Sequence, residues 1–133
     1  MMPTRTASEL MTRAVVTVRP DTPLLEAVEL LVRLGISGLP VVDEADTVVG
    51  VITEYDCISF AMSGNARETR VGEAMSEEVI SVAPDTPCPA IANIFAARRI
   101  RRVPVLEGSK LVGIVSRRDV LRQMMYNYVG GRD

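Results

Sequence analysis

"MTRAVVTVRPDTP", residues 11–23, returns as "MSEEVISVAPDTP", residues 75–87. The offset of 64 holds from 8–43 onto 72–107, and 11 of those 36 positions are identical: Glu9, Met11, Val15, Val18, Pro20, Asp21, Thr22, Pro23, Ile36, Pro40 and Val41, each with its partner. One residue drops out of the second copy near "EGSK". "VVGVITEYD" (48–56) then meets "LVGIVSRRD" (111–119) at an offset of 63. Chance does not keep Pro-Asp-Thr-Pro, Pro-Val and Val-Gly-x-x-[Thr/Ser]-x-x-Asp in the same order twice, so the chain is an internal duplication. The repeats span 8–62 and 72–128, with a linker at 63–71 and a tail at 129–133 read as disordered.

Each copy reads the same way locally. "VVTV" and "VISV" are β-branched runs ended by Pro, which predicts brief strands. In "PDTP" the Asp or Thr is a candidate helix cap, and the second Pro suits a first helical turn. "LLEAVELLVRLG" (24–35) sets Leu24, Ala27, Val28, Leu31 and Leu34 at steps of three and four, an amphipathic helix stopped by Gly35. "AIANIFAARR" repeats that helix through Ile91, Ile94, Phe95 and Ala97. "GLPVVD" with "VVGVIT", and "RVPVLE" with "LVGIVS", are buried strands joined by the turn-rich "EADT" and "EGSK", hence hairpins. "YDCISFAM" and "RDVLRQMMYNYV" close the copies as helices. One unit is β-α-β-β-α, and the fold class is α+β (mixed α/β). A unit of this size buries too little surface to be stable alone, so two copies packed about a pseudo-twofold are expected.

The 133 residues are 47% apolar, enough for a core of Val, Ile, Leu, Ala and Met. Charge is uneven. Residues 1–64 carry four arginines against nine carboxylates, whereas 65–133 carry eleven basic residues against eight. That pattern points to a local anion site in the second half rather than the dominating positive field of a nucleic-acid binder. The absence of histidine removes the commonest general base and zinc ligand. No catalytic spacing and no metal-ligand cluster is legible, so neither catalytic nor metal residues are assigned. Cys57 and Cys88 share no motif and are read as reduced thiols. With no signal-peptide h-region and no membrane-length apolar run, the reading is a soluble, cytoplasmic protein.

With both copies laid out, "VVTVRPDTPLLEAVELLVRLGISGLPVVDEADTVVGVITEYD" and "VISVAPDTPCPAIANIFAARRIRRVPVLEGSKLVGIVSRRD" resemble a tandem pair of CBS domains, the Bateman module. The resemblance covers nearly the whole chain. It implies two units packed through their sheets, with two clefts, and modules that meet as a disk-like homodimer. Its usual ligands are adenine nucleotides (AMP, ADP, ATP or S-adenosylmethionine), bound as ligands rather than as required cofactors. It implies a regulatory protein, not an enzyme, acting on a target protein that the sequence does not name.

The residues allow two readings at each position. Thr53/Asp56 and Ser116/Asp119 place a hydroxyl and a carboxylate at a helix start, which is a capping arrangement. The same geometry can hold a phosphate on helix amides and a ribose diol on Asp. Arg99, Arg101 and Arg102 lie where a helix gives way to a strand, either as a solvated cluster or as phosphate ligands. The family places a basic residue there and uses it on phosphate, a role that falls on Arg101, Arg102 and Arg118. The first copy departs from this pattern: it has Ser37, Gly38 and Glu54, so its site is expected to be empty, weak or suited to a less anionic ligand. By the same resemblance the base slot of the Asp119 site comes from Val15, Val16 and Thr17, and that of the Asp56 site from Val79, Ile80 and Ser81. The alternative for these residues is plain core strand. Met11, Met62, Met75, Met124 and Met125 read as core or interface filling. "RQMMYNYV" is a dimer contact or an ordinary end helix. The competing function is a dimerisation or interaction scaffold with empty clefts. Nucleic-acid binding through residues 98–118 lacks interleaved aromatics.

Overall fold

The computed structural model describes residues 4–130. The chain forms two compact units: one runs from Val16 to Val79, and the other joins the segment up to Val15 with the chain from Ile80 onward. In the first, helix α2 (Leu24–Leu34) precedes an antiparallel hairpin of β1 (Gly38–Val42) and β2 (Val48–Thr53), followed by α3 (Glu54–Met62) and a short α4 (Val71–Ala74). In the second, a short α1 (Ala7–Leu10) joins α5 (Cys88–Ala97), a hairpin of β3 (Arg102–Glu107) and β4 (Lys110–Ser116), and α6 (Arg117–Gly130). Both hairpins have the same register, with Pro40 opposite Val51 and Pro104 opposite Ile114, and both slip by one residue just after that pair's neighbour, at Val41/Val42 and Val105/Leu106. Residues 129 and 130 of the expected tail continue α6, because nothing in "NYVG" breaks the helix before its end; the remainder lies outside the described residues.

The expected first strands, "VVTV" and "VISV", do not form. Each contributes one parallel bridge, Val18 to Val41 and Val82 to Val105. Val18 donates its N–H to the Pro40 carbonyl (3.1 Å) and accepts from the Val42 N–H (2.9 Å). The next donor in a parallel ladder would sit two residues on, at Pro20 or Pro84, and proline has none. The Pro that ended the strand in the sequence pattern therefore also stops it after a single rung.

The "PDTP" turn also differs from expectation. Thr22 and Thr86 do not cap the helices. Their hydroxyls accept from the Arg19 and Ala83 amides, each at 3.0 Å, and close the turn. Pro23 and Pro87 occupy the cap positions just ahead of α2 and α5. The orphan amides of those helix starts are instead satisfied by a segment distant in sequence. Leu24 N–H donates to the Thr69 carbonyl (2.9 Å), and Cys88 N–H donates to the Arg5 carbonyl (2.8 Å). Val71 N–H reaches Thr22 O and Ala7 N–H reaches Thr86 O, both at 2.8 Å. The stretch leading into each repeat is thus bound into the core of the other: α4 packs with the first hairpin, and α1 with the second.

The two cores follow. Val18, Leu24, Ala27, Leu31, Leu39, Val41, Ile52 and Cys57 pack with Val71 and Ala74 of α4. Val82, Cys88, Ile91, Val103, Val105, Val115 and Val120 pack with Ala7 of α1. Gly35 ends α2 in the left-handed conformation expected of it (φ 65°). Leu34, expected on the apolar face, is 43% exposed.

Candidate functional site

Each hairpin delivers its second strand directly into a helix, and the junction is closed by a hydroxyl and a carboxylate. At the start of α3, Asp56 N–H donates to Thr53 Oγ1 (3.2 Å), while Asp56 Oδ2 accepts from the Thr53 N–H (3.0 Å) and hydroxyl (2.8 Å). At α6, Asp119 N–H donates to Ser116 Oγ (3.2 Å) and Asp119 Oδ2 accepts from the Ser116 N–H (2.8 Å). Both are capping boxes, so the capping reading is realised in each copy. The boxes leave different atoms available. Among the described residues, Asp56 Oδ1 has no partner, whereas Asp119 Oδ1 accepts from Arg122 Nη1 at 3.3 Å. All four residues are half-buried, so both junctions remain reachable by solvent.

Around Ser116 the register gathers arginines. Arg102 lies opposite Ser116 in the β3–β4 ladder, and the Arg101 carbonyl accepts from the Arg117 N–H at 3.0 Å. Arg117 and Arg118 open α6. All four are exposed, and none is ion-paired among the described residues. The first copy has the same backbone with other side chains. Gly38 lies opposite Thr53, and the Ser37 carbonyl accepts from the Glu54 N–H at 2.9 Å.

The base-slot candidates Val15, Val16 and Thr17, and Val79, Ile80 and Ser81, lie outside any strand, although Ile80 packs against the second core. Val15 belongs to the unit of Asp119 and Val16 and Thr17 to that of Asp56; Val79 falls in the latter and Ile80 and Ser81 in the former. Among the described residues, the main chains of Val16, Thr17, Val79, Ile80 and Ser81 make no hydrogen bond within the protein. Such groups need water or a ligand.

Sequence reasoning missed a cavity of about 280 Å³ lined by Arg5, Glu9 and Leu10 together with Asp119, Arg122, Gln123 and Tyr126. Of its lining residues only Asp119 is legible as a site residue in the sequence; Gln123 is buried and donates to Asn127 Oδ1 at 2.9 Å. That Arg5 and Glu9 join it follows from the exchanged segment. Both thiols are buried and free. Burial raises the pKa of each, and the Asp56 and Glu54 carboxylates raise that of Cys57 further. Among the described residues, no cluster of three or more metal-ligating side chains is present, and no helix is long and apolar enough to cross a membrane.

A duplicated hairpin-and-helix unit with a capped hydroxyl–aspartate junction defines a class, and comparison places the chain in it. The CBS domain family matches residues 7–63 and 71–126. The chain belongs to the CBS-domain family, as a tandem pair. It is 36% identical over 122 residues to the A-adding tRNA nucleotidyltransferase of Geobacter sulfurreducens, covering 92% of this chain but only 14% of that enzyme. Its fold matches CBSX2 of Arabidopsis thaliana, solved in complex with AMP, with a TM-score of 0.84 and 29% identity over 93% of this chain and 98% of that one. It also matches the CBS domain pair of protein MJ0100, solved with 5′-methylthioadenosine and S-adenosyl-L-methionine, with a TM-score of 0.79 and 28% identity over 98% and 100% of the two chains.

Proposed function

We propose that this CBS pair is a regulatory module that binds an adenine nucleotide. The observation that carries this reading is the hydroxyl–aspartate junction, present in both units of a fold whose neighbours hold AMP or S-adenosylmethionine. In it, Asp119 accepts from the ribose hydroxyls, Ser116 and the Arg118 N–H meet phosphate, and Arg101, Arg102 and Arg118 neutralise it. The main chains of Val16, Thr17, Val79, Ile80 and Ser81, without a hydrogen bond among the described residues, supply donors and acceptors of the kind a base edge requires. Thr53 and Asp56 form the matching, less basic junction. Regulation follows if a target protein, or an attached domain, exists in two states that differ in nucleotide affinity.

Calorimetry on ligand-stripped protein with AMP, ATP and S-adenosylmethionine tests this. Binding is expected, and Asp119→Ala is expected to weaken it by about 1.5–3 kcal/mol through loss of a charged acceptor. No heat with any of the three sinks the nucleotide reading and leaves the scaffold reading. A second copy of the chain is the partner we assign to two exposed stripes: Tyr55, Ile58 and Met62 on α3, and Leu121, Met124, Met125 and Tyr128 on α6, each with helical spacing. Sedimentation should show a dimer, and Ile58→Glu with Met124→Glu should shift it to monomer.

A further inference from the structure

We infer that the arginine corner at the start of α6 is built for a polyphosphate and selects a nucleoside triphosphate over the monophosphate. This rests on the nucleotide reading above and narrows its ligand.

The two copies provide an internal control. The junction backbone is the same in both: 101 to 117 bond as 37 to 54 do, and 102 faces 116 as 38 faces 53. The first copy builds it with Ser37, Gly38, Glu54 and Tyr55; the second uses Arg101, Arg102, Arg117 and Arg118. The fold therefore does not need arginine at any of the four positions. Nor do the arginines hold the protein together: all four are exposed, and none is ion-paired among the described residues, whereas Arg5, Arg33 and Arg122 each meet a carboxylate. Four cations crowded onto one strand–helix junction repel one another. An anion that spans them relieves that repulsion.

The charge count sets the anion's size. Against the four guanidinium groups the corner itself offers only Asp119, and that carboxylate is already paired with Arg122, so the five cations and one carboxylate leave a net +4. Arg98 and Arg99, which follow α5 and lie three and two residues before Arg101, add to the positive field. A monophosphate leaves much of this uncompensated, and each further phosphoryl group adds negative charge and acceptor oxygens for the planar, bidentate guanidinium. Arg101 sits in the bend just ahead of β3, Arg102 opens that strand, and Arg117 and Arg118 open α6, so the four cations start from different elements and a chain of phosphates can extend from one to the next. The first copy's junction carries Glu54 and Asp56 and no cation at these positions, which disfavours any phosphate there.

The test is calorimetry on the full chain with AMP, ADP and ATP, without divalent cations, at low and high salt. ATP should bind about tenfold more tightly than AMP at low salt, with ADP between them and the gap closing as salt screens it. The quadruple variant R101S/R102G/R117E/R118Y transplants the first copy's residues and should keep its melting temperature. It should bind all three nucleotides weakly and lose the ATP preference. AMP binding as tightly as ATP overturns the polyphosphate inference while leaving the nucleotide reading in place, as does an ATP preference that survives in the variant. No binding of any of the three overturns both.

Discussion

Asp56 and Asp119 each fasten their own helix with one carboxylate oxygen, so their first effect is on stability. Removing a capping partner costs about 1 kcal/mol. Thr53→Ala and Asp56→Ala should each lower unfolding stability by about that amount in urea titration, and the double variant by less than the sum, because both break one box. Cys57 is protonated in the folded protein beyond the ordinary thiol range, chiefly because it is buried and then because Asp56 and Glu54 lie near. Above that range the unfolded chain loses its thiol protons while the folded one retains them, so stability falls as pH rises. Denaturation midpoints should decline on the alkaline side, and Cys57→Ala with Cys88→Ala should flatten that decline. A thiol reagent should label native protein slowly and unfolded protein at once.

Among the elements, β2 and β4 each carry a glycine where another segment crosses them. A Cβ on Gly50 would stand 2.6 Å from Met75 Sδ and 2.8 Å from the Ser76 carbonyl oxygen. On Gly113 its three nearest neighbours would be the Sδ, Cγ and Cβ atoms of Met11. A thioether can swing away, but a carbonyl bonded into the sheet cannot: Ser76 exchanges hydrogen bonds with Val51 at 2.9 Å in both directions. Gly50→Ala should therefore cost about 1–3 kcal/mol and Gly113→Ala less, a ranking that parallel thermal melts can check. The repeat identities at Met11/Met75 and Gly50/Gly113 have one cause, the crossing of the exchanged segment. The hairpins and long helices were legible because alternation, 3.6-residue periodicity and turn residues are local signals. The strands at Val15–Val18 and Val79–Val82 were not, because their pairing depends on which donor proline removes from a neighbouring ladder. The arginine corner was legible as composition, but only the register showed that Arg102 and Ser116 face each other.

On the scale of the whole molecule, the repeat and the compact unit are different divisions of the chain. The repeat runs 8–62 and 72–128 in sequence, whereas each compact unit takes its leading helix from the other repeat. Deleting residues 1–10 should consequently destabilise the hairpin and helices that follow Ile80, which lose Ala7 from their core and the Arg5 carbonyl from the start of α5. The Val16–Val79 unit should be much less affected. Hydrogen exchange resolved by segment would show it: early exchange across Cys88–Ala97 with Leu24–Leu34 still protected. Equal loss of protection in both would contradict the exchange.

The sequence alone determined the duplication, the hairpin–helix order, the hydroxyl–aspartate junctions and the basic second copy, since each is written in residue types at short, regular spacing. Only the tertiary structure decided which leading segment completes which core, why Thr22 and Thr86 close turns instead of capping helices, and which residues surround Asp119. Those outcomes rest on single hydrogen bonds between residues such as 5 and 88 or 24 and 69, and pairings over that distance leave no periodic trace in the chain.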